Sequence, residues 1–311
     1  MPARILVGSC SWTDPTLIAS GRFYQPGVTS AEARLRFYTE QFPIVEVDSS
    51  YYAPPSARNS ALWAARTPDD FVFNVKAYGL LTGHPTRVDR LPGWIAAALD
   101  EPARGKKNAY LKDLDAATVD RLWQAHREAL EPLAAAGKLG AVLFQFPPWF
   151  VRSGEHEDYL RALPRRLPGW PLAVELRGGD WLSDSAAAGT LRLLEDAGLS
   201  FVAVDEPQGF RSSTPAVVAA TAPLSIVRLH GRNAETWEAR TRVASDRFKY
   251  LYADRELEEW VPRVRELARH SAAVHVLFNN NYEDWGMRNA RRMAQLLGTE
   301  RQPPQARLDL S

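Results

Sequence analysis

The stretch Val274–Ala290, VHVLFNNNYEDWGMRNA, passes from a short apolar run through three asparagines and an aromatic, acidic turn into a helical pattern. Val274, Val276 and Phe278 alternate with His275, Leu277 and Asn279, the period of a strand, whereas Met287–Leu297 carries apolar residues at helical spacing. The segment therefore reads as strand, polar loop and helix. Asn279, Asn280 and Asn281 each offer a donor and an acceptor without charge, which suits either a polar ligand or the backbone of a tight loop.

Seven earlier runs have the same character: Ile5–Ser9, Ile44–Ser49, Phe71–Lys76, Gly140–Phe146, Leu172–Leu176, Ser200–Asp205 and Leu224–His230, with Val274–Asn279 as the eighth. Helical patterns lie between them at Ser30–Gln41, capped by Ser30, and at Ser60–Arg66, Ala116–Ala136, Tyr159–Arg166, Ala186–Ala197 and Leu257–His270, with Arg288–Leu297 last. Strand and helix alternate throughout. This predicts an α/β chain folded as a TIM (β/α)8 barrel, a single domain over residues 1–298 with a loosely tied tail at 299–311. Two long loops depart from a minimal barrel. Ala77–Asp115 follows the third strand and is expected to be an active-site cover or a mobile insertion, and Arg232–Asp254 follows the seventh.

Composition narrows the function classes. The formal net charge of +1 gives no global field for nucleic acid or an anionic membrane, although a local basic patch is compatible with it. One cysteine, Cys10, excludes an internal disulfide framework and suits a reducing compartment. The start, MPARILVGSCSW, lacks the apolar segment of a signal peptide, and no run reaches the ~18 apolar residues of a membrane span. A cytoplasmic location and no membrane partner are expected.

In a parallel barrel the strand C-termini converge on one mouth, and alternation decides which side chains point in. It pairs Glu46 with Asp48, Asn74 with Lys76, Leu143 with Gln145, Glu175 with Arg177, Ala203 with Asp205 and Arg228 with His230. Leu277, Asn279 and Asn281 share the inward face of the last strand, and Asn280 points away. Unpartnered buried ions cost several kcal/mol each, so so many polar strand ends indicate a functional mouth. The competing structural reading is a buried ion network, Glu46 with Lys76 or Glu175 with Arg228, that only fixes geometry.

Several motifs in one order resemble a known family: GSCSW at Gly8–Trp12, FYQPG at Phe23–Gly27, RLRFY at Arg34–Tyr38, VEVDSSYYAPP at Val45–Pro55, FVFNVKA at Phe71–Ala77, LFQFPPWF at Leu143–Phe150, VAVDEP at Val202–Pro207, VRLHGR at Val227–Arg232 and FNNNYEDW at Phe278–Trp285. Together they resemble the DUF72 family of YecE-like proteins. The resemblance implies an α/β barrel. It implies little about activity, the family being largely uncharacterised with a suggested kinship to endonuclease IV and sugar isomerase barrels. The fifth strand, AVELRGGDW, keeps Glu175, Arg177 and Trp181 but has Leu176 and Gly178-Gly179-Asp180 where the family usually reads AVEFRHPSW, so no role resting on that histidine is carried over.

Three chemistries are open to such a mouth. Glu46, Asp48, Glu175, Asp205 and His230 are hard oxygen or imidazole ligands, but His126, His156 and His270 fall on helices or loops. With only His84, His230 and His275 left, a histidine-rich zinc cluster does not assemble; magnesium or manganese is conceivable, a metal is not favoured, and the cofactor is left unknown. Lys76, Arg177, Arg228 and Arg232 suit phosphate oxygens, with His230 as general acid or base oriented by Asp205 or Glu175. Trp12, Tyr51, Tyr52, Trp149, Phe150, Trp181, Trp237, Tyr282 and Trp285 just beyond strand ends suit a ligand with flat faces. A glycosidase would need two carboxyls about 5 to 9.5 Å apart. The fourth and seventh strands, which usually supply them, end here in Gln145 and His230, leaving a pair such as Glu46 with Glu175. Cys10 reads as a small buried thiol.

The leading expectation is a hydrolase or lyase acting on a phosphate-bearing substrate, a small molecule or nucleic acid. Its catalytic residues would be His230, Asp205 and Glu175. Trp12, Glu46, Asp48, Tyr51, Lys76, Gln145, Arg177, Arg228, Asn279, Asn281 and Tyr282 would bind the substrate. The alternatives are a non-catalytic nucleic-acid-binding module and a carbohydrate-active barrel, glycosidase or sugar isomerase-like. Protein partners are left open.

Overall fold

Apolar runs too short for helices pair edge to edge in the computed structural model, which describes residues 2–239 and 248–301. The strands are β1 (Arg4–Ser9), β2 (Ile44–Val47), β3 (Val72–Lys76), a small ribbon of β4 (Thr86–Arg87) and β5 (Asn108–Ala109), then β6 (Leu139–Gln145), β7 (Leu172–Glu175), β8 (Ser200–Asp205), β9 (Leu224–Leu229) and β10 (Ala273–Phe278). All but the ribbon form a closed parallel barrel in the order β1-β10-β9-β8-β7-β6-β3-β2, as a TIM barrel requires. The chain ends meet: Val7 pairs with Val276, which pairs in turn with Val227, so the last strand seals the barrel between the first and the one before it. Closure leaves none of the eight barrel strands with an unpaired edge.

Strand alternation divides the core. Leu6, Ile44, Leu143, Ala173, Val202, Val204, Ile226 and Leu277 fill the barrel interior, while the opposite faces pack beneath the helices in a larger cluster. After β1 come α1 (Pro15–Ser20) and α2 (Ala31–Gln41), and after β2 comes α3 (Ala57–Ala65). The long segment after β3 holds α4 (Gly93–Ala98) and α5 (Glu101–Arg104) before α6 (Ala116–Ala135). The rest are α7 (Gly154–Arg166), α8 (Ala187–Asp196), α9 (Asp254–His270) and α10 (Trp285–Leu297). Ser30 caps α2 through the Ala33 amide, as expected. Two helices start earlier than their apolar spacing shows, because Ser56 and Ser153 accept from the Asn59 and His156 amides and open α3 and α7 a turn ahead of their apolar faces.

Strict alternation fails at one place. Residues 206–223, between β8 and β9, form no helix, and Pro207, Pro215 and Pro223 explain it by removing amide donors and disfavouring helical neighbours. Thr221 pins this segment, its hydroxyl accepting from Phe201 N and donating to Leu199 O.

The Ala77–Asp115 insertion is folded onto the barrel: Tyr78, Leu80, Leu81, Ile95 and Leu99 are buried, and Thr86 pairs with Ala109 across the ribbon. Of the second long loop, residues 240–247 lie outside the described residues, as do residues 302–311 of the tail. Among the described residues no helix is long and apolar enough to cross a membrane.

Candidate functional site

The strand C-termini surround a cavity of ≈ 630 Å³, into which Asp48, Tyr51, Lys76, Gln145, Arg177, Asn279 and Asn281 all reach. Seven of the residues expected to bind substrate thus meet at one mouth. Beneath them lies a sealed layer of charge. Arg228 is fully buried, its Nε donating to Glu46 Oε2 at 3.1 Å, Nη2 to Glu46 Oε1 and Nη1 to Glu175 Oε2. Its guanidinium is shared between two carboxylates and does not line the cavity, so it is a poor anion ligand. Here the ion network that competed with the functional reading is real, with Arg228 rather than Lys76 as the partner of Glu46.

Arg177 forms the next layer outward. Its Nε lies 2.7 Å from Glu175 Oε1, Nη1 2.6 Å from Glu206 Oε2 and Nη2 3.1 Å from His230 Nε2. Gln145 Nε2 also donates to Glu175. Burial works to raise the Glu175 carboxyl, but Arg228, Arg177 and His230 together hold it well below the ordinary carboxylate range.

His230 is buried with Asn279 Nδ2 2.9 Å from Nδ1 and Glu175 Oε1 3.3 Å from Nε2. Asn279 Nδ2 and Arg177 Nη2 can only donate to the ring, at Nδ1 and Nε2 respectively, while Glu175 can only accept from Nε2, so these contacts orient the imidazole without fixing its tautomer. Burial, reinforced by Arg177, pushes the imidazole down to about 3, so the ring is neutral at neutral pH.

Glu46 behaves oppositely: burial, aided by neighbouring Asp48, raises its carboxyl to about 7 against the pull of Arg228 and Lys76. Charge balance agrees, because Lys76, Arg177 and Arg228 face four carboxyls, Glu46, Asp48, Glu175 and Glu206, and one retained proton makes the cluster neutral. At the cavity wall Asp48 Oδ1 is buried without a hydrogen bond, 3.7 Å from Lys76 Nζ and 3.7 Å from Arg228 Nη2. Lys76 Nζ likewise makes no hydrogen bond among the described residues and stands 4.9 Å over the Tyr51 ring.

Three expected site residues are placed elsewhere. On β8, Val202 and Val204 fill the barrel, so Asp205 points outward and holds Arg232 Nε at 3.0 Å, with Arg232 also reaching Glu256 and Glu259 of α9. The inward acid is Glu206, one residue on. Because Val202, Ala203 and Val204 are all apolar, alternation cannot set the phase of this strand. Trp12 is buried against Trp63 at 5.8 Å and Phe73 at 6.4 Å, leaving its neighbours Ser11 and Thr13 at the cavity. Tyr282 packs on Trp285 at 4.9 Å, under Lys249 Nζ, and does not line the cavity. Asn280 points away as expected, donating to Tyr250 O and Asn289 Oδ1.

Ser11, Thr13, Asp14, Pro15, Ser49 and Phe248 line the mouth without having been singled out in the sequence, and Glu206 lies behind it on Arg177. Ser11 has φ 120°, unusual for a side chain with a Cβ, and only a glycine there would have signalled it.

Among the described residues the donor sets do not suit a metal. Glu175 and His230 lose Asp205 as a third ligand. Cys10, Glu46 and Asp48 bring ligand atoms within 4.8 Å of one another, but Arg228 Nη2 bonds Glu46 and lies 3.8 Å from Cys10 Sγ. A guanidinium already supplies the positive charge there, and burial pushes the Cys10 thiol well up, so it stays protonated.

A closed parallel α/β barrel with a polar, charge-balanced pocket at its C-terminal mouth is the class that fold and site define. The chain belongs to the family described as "Protein of unknown function DUF72", which matches residues 6–309. It is 33% identical over 300 residues to the UPF0759 protein YunF of Bacillus subtilis (strain 168), covering 95% of each chain. Two solved DUF72 structures share the fold. That from Enterococcus faecalis V583 has a TM-score of 0.76 at 26% identity, covering 94% of this chain and 95% of that one. That from Thermotoga maritima MSB8 has a TM-score of 0.74 at 28% identity, covering 95% and 99%.

Proposed function

We propose that the mouth binds a neutral, polyhydroxylated, sugar-like substrate and transfers a proton on it. The observation that carries this reading is the Asp48–Lys76 pair. Its oxygen and ammonium stand 3.7 Å apart, neither hydrogen-bonded among the described residues. A substrate hydroxyl satisfies both, accepting from Lys76 and donating to Asp48. In the reaction Asp48 takes a proton from the carbon beside the substrate's carbonyl, Lys76 stabilises the enolate oxygen that forms, and Asp48 returns the proton to the adjacent carbon, with the raised carboxyl of Glu46 beside it as a proton store. Asn279, Asn281 and Gln145 add uncharged amides around the hydroxyls.

Glu175 accepts from Arg228, Arg177 and Gln145 and has no free oxygen for nucleophilic attack. With a single acid–base station, isomerase- or lyase-type proton transfer fits better than two-carboxylate glycoside cleavage. The test is exchange of solvent deuterium into carbon-bound positions of a panel of aldoses and ketoses, followed by mass spectrometry. Exchange should vanish in Asp48→Asn; a folded Asp48→Asn protein that exchanges and binds as before would sink the idea.

A second reading, a phosphate-bearing substrate for a hydrolase or lyase, is favoured by the free ammonium of Lys76 beside Arg177. It places an anion against Asp48, so inorganic phosphate and sugar phosphates should bind more tightly to Asp48→Asn than to the parent chain. Nucleic-acid binding has weaker support, because the mouth cations face an excess of carboxyls and few counterions would be released.

A further inference from the structure

Tyr52 and Trp149 are the most exposed large apolar side chains described, at 62% and 53%. They belong to one path. Tyr52 meets Tyr51 edge-on at 5.0 Å, Tyr51 meets His84 at 5.1 Å, and His84 meets Trp149 at 5.8 Å. The path begins at the mouth, where Tyr51 and Tyr52 line the cavity. It ends at a second cavity of ≈ 730 Å³ between the insertion, the start of α6 and the start of α7. Tyr110, Val119, Phe146, Trp149, Phe150 and Tyr159 form much of that wall, with Phe146 and Phe150 stacked at 4.0 Å. His84 and Phe146 also line a small recess with Arg177 and Gln145, which has Gln145 and Arg177 in common with the mouth and Phe146 in common with the second cavity.

Exposed rings that border a polar pocket are unfavourable in water unless a ligand covers them. Flat rings gain most from a flat or apolar partner. Lys112 and Glu155 leave no excess charge at the second cavity, and burial together with Lys76 and Arg177 keeps His84 neutral, so the path favours an uncharged ligand. One end of the site thus suits hydroxyls and the other an apolar plane.

We propose that the mouth and the second cavity form one extended site for a glycoside carrying a flat apolar group, the sugar held by Asp48 and Lys76 and the apolar group stacked on Trp149. This rests on the sugar-like reading of the mouth. The insertion after β3 then serves as a specificity element, because Gly83 and His84 bring it to Trp149 and complete the passage.

The experiment is calorimetric titration of the full chain with methyl and 4-nitrophenyl forms of a β-glucoside, a β-galactoside and a β-xyloside, and with an octathymidylate. For at least one sugar the nitrophenyl form should bind about tenfold more tightly than the methyl form. Trp149→Ala should bring that ratio to about one, and so should Ala116→Trp, which fills the second cavity from an exposed position on α6. Equal affinities within every pair, or a ratio that survives both variants, would overturn the extended site. Tighter binding of the octathymidylate, lost in Trp149→Ala, would also overturn it and assign the rings to single-stranded nucleic acid. Asp48-dependent binding of methyl glycosides with no gain from the nitrophenyl group would sink the extended site and leave the sugar-like mouth standing. Failure of every glycoside to bind would overturn the extended site.

Discussion

His230 Nδ1 lies 2.9 Å from Asn279 Nδ2, so the last strand of the barrel orients the imidazole delivered by the strand before it. The ring is held neutral, and three further histidines are in the same state. Burial lowers His275 to about 3 and His126 and His84 to about 4, against about 6.5 in an unfolded chain.

Acid should therefore destabilise the fold before most carboxylates titrate. A depressed histidine stabilises the native state above the unfolded value and loses that contribution as pH falls toward the folded one, at about 1.4 kcal/mol per pH unit for each proton. Glu46 has the opposite sign, because its raised carboxyl holds a proton in the fold that the unfolded chain releases above its ordinary value of 4.5. Burial raises the Glu206 carboxyl as well; between about pH 4.5 and 6.5 the four histidines outweigh these two carboxyls, and stability should fall with a slope of about two protons. Urea unfolding at half-unit pH steps measures it; a flat profile would show the histidines to be charged or exposed in the fold.

His126 is the simplest of the four to test, since both of its ring nitrogens are buried without a hydrogen bond on the inner face of α6. His126→Leu removes two desolvated polar atoms and should raise the melting temperature, more at pH 5 than at pH 7.5, with stability gained of order 1 kcal/mol or more at the lower pH. Thermal scans at the two pH values decide it.

Arg228→Met should be severe. It leaves Glu46 and Glu175 facing each other in the barrel without their shared cation, and removing one partner of a buried pair costs about 3–5 kcal/mol. Urea midpoints should drop accordingly, and proton uptake on folding should appear near neutral pH as the uncompensated carboxyls hold protons.

The two neighbouring acids at the end of β8 should separate cleanly. Asp205→Asn weakens the outward link to Arg232 and should cost about 1–3 kcal/mol while leaving ligand affinity at the mouth unchanged. Glu206→Gln loosens Arg177 and should change ligand affinity or its pH dependence. Paired unfolding and binding titrations would show the inward assignment of Glu206 to be wrong if Asp205→Asn were the variant that altered binding.

Much of this was legible in the order of residues. Eight apolar runs, separated by capped helical patterns, determine a closed parallel barrel, because such strands bury both faces and no other arrangement leaves them without edges. The polar strand ends that alternate inward, Glu46 with Asp48 and Glu175 with Arg177, follow from the two-residue period alone.

Tertiary structure decided the rest. Three consecutive apolar residues gave β8 no readable phase, and only its packing between β7 and β9 turned Asp205 out and Glu206 in. The period correctly turned Arg228 inward, yet only the closed barrel showed that Glu46 and Glu175 would enclose it, whereas Lys76, also inward, remains at the cavity with its donors free. A strand's period sets direction along one chain segment. Which charges neutralise one another, and which are left for a ligand, depends on distances between strands far apart in sequence, and those exist only once the barrel has closed.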